Sequence, residues 1–336
     1  MIKLKEIVES IPSLKEGGKL FGSRAQRVST ADMNIVFNDL QKKIGSQFNQ
    51  FKLSKALPSK TDHGDIDIVV SGNPNIHTTL ENALGKALVD FHRNGNIYSA
   101  LYFSDSLDKT VHVDFISATP EGYSAQYDYL SYNDFSGILG IIARKLHFNY
   151  GSLGFFKIYI DKNKRYHYIL ITKNLREGLV ILGYKHVLSQ FDNIQNIQDI
   201  VNFIASSDLF DSSYLESFGM NSSDRKRSRS ERPTARAIRD GLLNLHKHRK
   251  IEDDDYFLKK EFPNYYQKVM TEIENIKNKT VVKSKYGGEW LMKNFPEIKP
   301  GPMIGKIKSI WQSVYGNRLD SVPEEELLAK TKEFLK

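Results

Sequence analysis

Two aspartates separated by a single residue are the first candidates for chemistry in this sequence. Asp65 and Asp67 belong to residues 65–70, whose β-branched residues and alternation predict a strand. Successive side chains of a strand point to opposite faces, so both carboxylates project on one side while Ile66 and Ile68 face the core. A divalent cation usually compensates two like charges at short range, and oxygen ligands select Mg²⁺ or Mn²⁺. The alternative is a solvated edge strand whose carboxylates face water.

A third aspartate lies on a second alternating segment, residues 110–116. Apolar residues of this segment alternate with His112 and Asp114, so Asp114 falls on the polar face of a second predicted strand. Carboxylates on adjacent strands hold two metal ions about 3.5 to 4 Å apart in enzymes that catalyse in-line phosphoryl transfer. The candidate catalytic and metal-binding residues are Asp65, Asp67 and Asp114.

The turn just before the aspartate pair carries groups that bind phosphate. Ser59 offers a hydroxyl and Lys60 a cation, and a turn exposes backbone N–H groups. The candidate nucleotide-binding residues are Ser59, Lys60 and Gly64, of which Ser59 and Lys60 would hold the outer phosphates of a nucleoside triphosphate. A second Gly-Ser pair, at residues 22–23, is interpreted as a structural turn or, alternatively, as a contact with substrate.

The elements that must position these residues predict an α+β fold. The head is a mixed β-sheet with helices on one side, and a mainly helical C-terminal region follows it. The predicted helices of the head cover about 30–45 and 76–93, and its strands cover 50–57, 65–70, 97–103 and 110–116.

The rest of the chain predicts one helix, one hairpin and then a helical pattern. The helix covers 135–150, the hairpin strands cover 155–160 and 165–172, and the helical pattern begins after 175. Residues 222–233 are rich in Ser and Arg and form either an exposed linker or a basic contact surface. The predicted domains are a head over 1–134, a neck and body over 135–220, and a basic linker with a helical tail over 221–336.

Composition narrows the possible functions. The 336 residues contain no cysteine, which excludes disulfide scaffolds, thiolate zinc sites, iron–sulfur clusters and cysteine nucleophiles. No apolar run approaches the roughly 20 residues of a membrane helix, and the N-terminus lacks the apolar stretch of a secretion signal, so we expect no membrane partner and a cytoplasmic location. The 48 Lys and Arg against 40 Asp and Glu give a net charge of +8, which favours a polyanionic partner or serves solubility alone.

The aspartate pattern resembles the DNA polymerase beta-like nucleotidyltransferase superfamily. The signature of that superfamily is a Gly-Ser turn, a spacer, Asp-x-Asp on one strand and a third Asp on a later strand. Residues 64–68 and 111–114 match the second and third elements, and Pro58 and Ser59 stand where the Gly-Ser turn is expected. The resemblance implies Mg²⁺ or Mn²⁺ as cofactor and a nucleoside triphosphate as substrate.

The segment 286–308 is similar to one found late in bacterial-type tRNA nucleotidyltransferases and poly(A) polymerases. In those enzymes a Gly-Gly or Asn-Gly turn precedes a helix, and a Lys-Pro-Gly-Pro-x-x-Gly-Lys loop, here residues 299–306, opens the next one. Such a loop at a helix N-terminus suits a nucleic-acid phosphate, and the alternative is a helix-to-helix corner with a packing role. The candidate nucleic-acid-binding residues are Lys299, Lys306 and Lys308.

Together, these resemblances imply a metal-dependent enzyme that transfers a nucleoside monophosphate to the 3′ end of a nucleic acid, RNA or tRNA. The chain is also similar to nucleotidyltransferase-like proteins of large bacteriophages, for which the host cytoplasm is the expected location. One alternative is a non-catalytic binding or virion-associated protein that keeps the fold, and another is a transferase that modifies a protein or a small molecule. The motifs by which CCA-adding enzymes select CTP and ATP are not found, so the base is not predicted.

Overall fold

A computed structural model describes most of the chain. The described residues are 20–73, 75–216, 233–285, 287–298, 301–316, 319 and 322–335, with the backbone alone over 278–285. They form two compact units, of which the first contains Met1–Lys157 with Leu170–Phe262, and the second contains Ile158–Ile169 with Pro263–Lys336. Most of the Ser/Arg-rich segment at 222–233 and the first 19 residues lie outside the described residues.

The architecture is mixed α+β with a helical C-terminal region, as the sequence predicts. The strands are β1 (Val28–Ser29), β2 (Gln50–Leu53), β3 (Asp62–His63), β4 (Ile66–Ser71), β5 (Leu88–Asn94), β6 (Ile97–Ser104), β7 (Lys109–Ala118), β8 (Phe148–Gly151), β9 (Gly154–Ile160) and β10 (Tyr166–Thr172). The helices are α1 (Thr30–Ile44), α2 (Ile76–Leu84), α3 (Tyr123–Leu130), α4 (Phe135–Lys145), α5 (Leu175–Ile181), α6 (Ile197–Ser206), α7 (Pro233–Leu243), α8 (Tyr256–Glu261), α9 (Pro263–Lys285), α10 (Gly288–Asn294), α11 (Pro302–Tyr315) and α12 (Glu324–Leu335).

The largest sheet has five strands in the order β2-β4-β7-β6-β5. Strands β4 and β7 are parallel, and every other neighbouring pair is antiparallel, so the sheet is mixed as expected. Helices α1 and α2 bury their apolar faces against one side of it, where the alternate residues of strand β4 are all apolar. This core includes Val36, Leu40, Leu80, Ile68, Val113 and Phe115.

The second face of the sheet is also buried over part of its area. Val69, Leu101 and Ile116 alternate away from the core against α1 and α2, yet they are 0%, 0% and 3% exposed. Helix α3 contacts β4, where the hydroxyl of Tyr123 donates to the Val69 carbonyl at 3.3 Å. The sequence predicts helices on one side of the sheet only. Helices α1 and α2 do lie on one side, but the opposite face is also covered around Val69, Leu101 and Ile116.

Two predicted helices are shorter than their patterns suggested. The helix expected over 76–93 ends at Leu84, since Gly85 adopts a φ of +51° and β5 then pairs with β6. The helix expected over 135–150 ends at Lys145, because His147 adopts a φ of +58° and β8 pairs with β9. In both cases residues whose apolar spacing is typical of a helix form a strand instead, because they pair with a neighbouring strand.

The predicted hairpin is present as β9 and β10, in a three-stranded sheet of order β10-β9-β8. Within the second unit, α10, α11 and α12 surround a separate apolar core. Its centre is Trp311, which is fully buried and donates its indole N–H to the hydroxyl of Thr331 at 3.1 Å. Among the described residues, no helix has the length and apolarity needed to cross a bilayer.

Candidate functional site

Asp67 and Asp114 face each other across the parallel strands β4 and β7. They are direct partners in the pairing, and the pairs on either side join Ile66 to Val113 and Ile68 to Phe115. These four apolar side chains are buried, so they fix the register, because a shift by one residue would turn them out of the core. Because the two residues are direct partners, their partly buried carboxylates share one face of the sheet, on strands about 4.8 Å apart.

Asp65 lies one residue before β4 begins and is partly buried. The ladder therefore brings Asp67 and Asp114 into register, and Asp65 lies two residues before Asp67 in the chain. Among the described residues, no group of three or more His, Asp or Glu side chains is arranged to hold a metal ion. The pair Asp67 and Asp114 still fits a hard divalent cation, because both ligands are carboxylates that retain some exposure.

The carboxylate of Asp114 is oriented by two hydrogen bonds to one of its oxygens. Ser99, its partner on β6, donates from Oγ to Oδ1 at 2.5 Å, and Nε2 of His112 lies 2.8 Å from the same oxygen. Both partners are 5% exposed. In the part of the chain that the structure describes, Oδ2 of Asp114 receives no hydrogen bond. One oxygen is thus held by the protein, and the side chain as a whole is 17% exposed.

His112 links the sheet to the segment that precedes α1. Its Nδ1 atom is buried and has no hydrogen-bond partner among the described residues. The ring of Phe21 packs edge-on against the imidazole, with 5.0 Å between ring centroids. The short turn Gly22–Arg24 follows Phe21 directly, so the Gly-Ser pair that the sequence assigns to a structural turn lies next to a neighbour of Asp114.

The predicted phosphate-binding turn is held by backbone hydrogen bonds. Ser59 is exposed, and its N–H donates to the Gln195 carbonyl at 3.1 Å. Lys60 is only 6% exposed, and its carbonyl accepts from the hydroxyl of Thr30, the first residue of α1, at 2.9 Å. Gly64 is buried where the turn meets β4. The contacts of these three residues with a nucleotide remain a prediction.

His63 connects this turn to the first residue of α1 by a side-chain hydrogen bond. The single hydroxyl proton of Thr30 goes to the Lys60 carbonyl, so Thr30 must accept from Nε2–H of His63, 3.0 Å away. Burial lowers the pKa of His63, and nearby Lys60 acts in the same direction. The lowered pKa favours the neutral imidazole near pH 7. The segment leading to Asp65 is therefore held by the side chain of His63 as well as by its backbone.

A polar network beside Asp67 was missed by sequence reasoning. The N–H of Ser54 donates to the Asp67 carbonyl at 2.9 Å, and the next residue, Lys55, binds Asp192 Oδ1 at 2.7 Å. Arg176 donates to both oxygens of Asp192 at 2.6 and 2.7 Å, which holds the pKa of that carboxyl well below its usual range. These contacts anchor the segment that follows β2. Lys55 and Asp192 are 137 residues apart, and no local pattern signals their pairing.

The tail lysines have different environments. Lys306 is exposed and Lys308 is partly buried on α11, whereas Lys299 lies outside the described residues. Helix α11 starts at Pro302, after Gly301 with a φ of +124° that only glycine adopts easily. A helix thus begins within residues 301–306 as the sequence predicts, and the role of this segment in binding nucleic acid remains a prediction.

No protein-family model matches this chain, and no curated protein matches it.

Proposed function

We propose that this chain is a metal-dependent nucleotidyltransferase that transfers a nucleoside monophosphate from a nucleoside triphosphate to the 3′ end of RNA. The observation that carries the proposal is the pairing of Asp67 with Asp114 across parallel strands. Two aspartates from separate chain segments are paired there on one face of a sheet, and Asp65 lies two residues before Asp67. This is the arrangement expected of the nucleotidyltransferase fold that the sequence resembles.

In this proposal the chain's own residues divide the work. Asp65, Asp67 and Asp114 would hold Mg²⁺ or Mn²⁺, which supplies charge neutralisation at the phosphates and lowers the pKa of the attacking hydroxyl. Ser99 and His112 orient Asp114, which accepts the proton of that hydroxyl. A new bond joins the 3′ oxygen to the α-phosphorus, and the bond to pyrophosphate breaks.

The remaining candidates bind the two substrates. Ser59 and Lys60 steady the β- and γ-phosphates as pyrophosphate leaves, and Gly64 completes the proposed nucleotide-binding turn. The acceptor is a polyanion, which agrees with the net charge of +8. Lys299, Lys306 and Lys308 are the proposed contacts of the tail with its phosphates.

The test is incorporation of labelled nucleotide into RNA. Purified protein is incubated with each α-labelled triphosphate and total RNA in the presence of Mg²⁺ or Mn²⁺. We expect labelled RNA with the wild type and loss of at least about 1,000-fold in Asp67→Asn and Asp114→Asn, because each removes charge from the metal site. Asp105→Asn is the matched control, since Asp105 is exposed in the turn between β6 and β7. Equal incorporation by Asp67→Asn and the wild type would end the proposal.

A non-catalytic protein that keeps this fold for binding is the second candidate. It is favoured by the turn at Ser59, because the N–H of Ser59 already donates to the Gln195 carbonyl and is not offered to a phosphate. That candidate predicts binding of nucleotide without release of pyrophosphate under any metal condition. The nucleotidyltransferase predicts pyrophosphate release that depends on both the metal and the acceptor RNA.

A further inference from the structure

The hairpin of β9 and β10 presents two exposed tyrosines on one face. Strand β10 is an edge strand of its sheet, and its residues alternate in exposure. Tyr166 and Tyr168 are 63% and 56% exposed, whereas His167 is partly buried and Ile169 is buried. Side chains two residues apart on a strand are about 6.6 Å apart on the same face. Two large aromatic rings are therefore held side by side in solvent.

The turn that joins the two strands adds positive charge beside these rings. Lys164 and Arg165 are both exposed. The nearby acid, Asp161, is buried and accepts the N–H groups of Asn163 at 2.8 Å and Arg165 at 3.0 Å. Nε2 of His167 lies 3.1 Å from its other oxygen. These bonds keep the pKa of Asp161 below its ordinary value, so its carboxylate is ionised, but Lys164 and Arg165 outnumber it and the exposed tip carries a net positive charge.

We propose that this hairpin face binds single-stranded nucleic acid. Tyr166 and Tyr168 each stack one base, while Lys164 and Arg165 contact the flanking phosphates. Aromatic stacking accepts any base because every base has a flat π-face, and cations beside the rings follow the backbone. The identity of the strand as the acceptor RNA rests on the proposed function, but the binding itself does not.

Charge complementarity favours a nucleic acid over a protein at this face. A second copy of the chain would bring two cationic tips together, and like charges in contact oppose association. A duplex offers no unstacked bases to the rings, so the face should prefer single strands. An edge strand can also accept a strand from another protein, and a change in oligomeric state would identify that case.

The experiment measures fluorescence anisotropy of a labelled oligouridylate of about 12 nucleotides, a length within the range of single-strand sites. We expect Tyr166→Ala/Tyr168→Ala to bind at least about tenfold more weakly than the wild type. Tyr166→Phe/Tyr168→Phe keeps both rings and should bind within about twofold of the wild type, which separates loss of stacking from a folding defect. Circular dichroism checks that both variants fold.

The cations are tested through the salt dependence of binding. Lys164→Gln/Arg165→Gln should reduce the slope of log affinity against log salt by about 1.4, because each lost contact with a single strand is worth about 0.7. Lys42→Gln/Lys86→Gln is the matched control, since both of these lysines are exposed in the first unit. The control should leave the slope unchanged.

Several results would overturn the inference. They are undiminished binding by the tyrosine-to-alanine variant, no measurable binding by the wild type, or a change in oligomeric state by light scattering in that variant. The last result would identify a protein interface. Asp67→Asn should retain RNA binding, so a failure of nucleotide transfer leaves this inference standing. Conversely, normal binding by the tyrosine-to-alanine variant refutes the inference even where transfer is detected.

Discussion

Ser99 and Asp114 are direct partners in the antiparallel pairing of β6 and β7, and the serine hydroxyl donates to the aspartate at 2.5 Å. On its other side Asp114 pairs with Asp67 of β4. The central strand therefore places one carboxylate between a hydrogen-bond donor and a second carboxylate. Each of these positions is set by the pairing of backbone strands, which does not depend on a bound ligand.

Replacing Ser99 by alanine should impair transfer without weakening nucleotide binding. The substitution removes one of two hydrogen bonds that orient Asp114, and loss of such a partner typically costs about tenfold in activity. We expect kcat to fall by about tenfold and KM for the triphosphate to change by less than about twofold. The check is steady-state kinetics with varied triphosphate at saturating RNA.

Ser104→Ala is the control for that substitution on the same strand. The hydroxyl of Ser104 is buried and has no hydrogen-bond partner among the described residues, so its removal should not reduce stability. An equal fall of kcat in Ser99→Ala and Ser104→Ala would show that the hydrogen bond to Asp114 has no special role.

The bidentate contact between Arg176 and Asp192 predicts a dependence of stability on pH. Arg176 lowers the pKa of Asp192 below its ordinary 3.8, burial opposes the shift and Lys55 adds to it. The unfolded state thus binds the proton more readily, so the contribution is fully present above about pH 4 and is lost as the pH falls through the folded pKa. We expect Asp192→Asn to be less stable by about 1 kcal/mol at pH 7, because Asp192 is 42% exposed and solvent screens the pair.

Urea unfolding of the wild type and Asp192→Asn checks this expectation. The difference in unfolding free energy should be constant between pH 7 and about pH 5 and should narrow below about pH 4. A difference that grows as the pH falls would have the wrong sign and would exclude the ion pair as its source.

Lys306 should contribute to RNA binding through its charge alone. It is exposed on α11, so Lys306→Gln should reduce the salt slope of single-stranded RNA binding by about 0.7 and leave base preference unchanged. Lys332→Gln is the control, since Lys332 is exposed on α12 of the same unit. If both variants lower the slope equally, the effect comes from the general charge of the tail and not from this loop.

The paired aspartates could be predicted because their signal is local. Alternation around Asp67 and Asp114 put both residues on the polar faces of strands. The buried apolar residues on either side of each aspartate fix the register of the two strands. Strand β5 could not be predicted in this way, since its residues continue an apolar spacing that suits a helix. The two-residue turn Gly95-Asn96, in which Gly95 has a φ of +61°, folds β5 back onto β6, and this Gly-Asn pair was the signal available in the sequence.

The surroundings of the site were beyond a single sequence. The ion pair between Lys55 and Asp192 joins residues far apart in the chain, and a charged residue carries no local mark of its partner. The same holds for the contact of Phe21 with His112. Periodicity therefore identifies the strands that carry the carboxylates, whereas the packing that orients them depends on the folded chain.

Binding of Mn²⁺, followed by electron paramagnetic resonance of the free ion, tests the central claim most directly. The wild type should bind Mn²⁺ saturably, and Asp67→Asn and Asp114→Asn should each weaken binding by at least about tenfold, while Asp105→Asn binds as the wild type does. Unchanged Mn²⁺ affinity in both Asp67→Asn and Asp114→Asn would contradict the account, because the paired carboxylates would then not be the site of the metal.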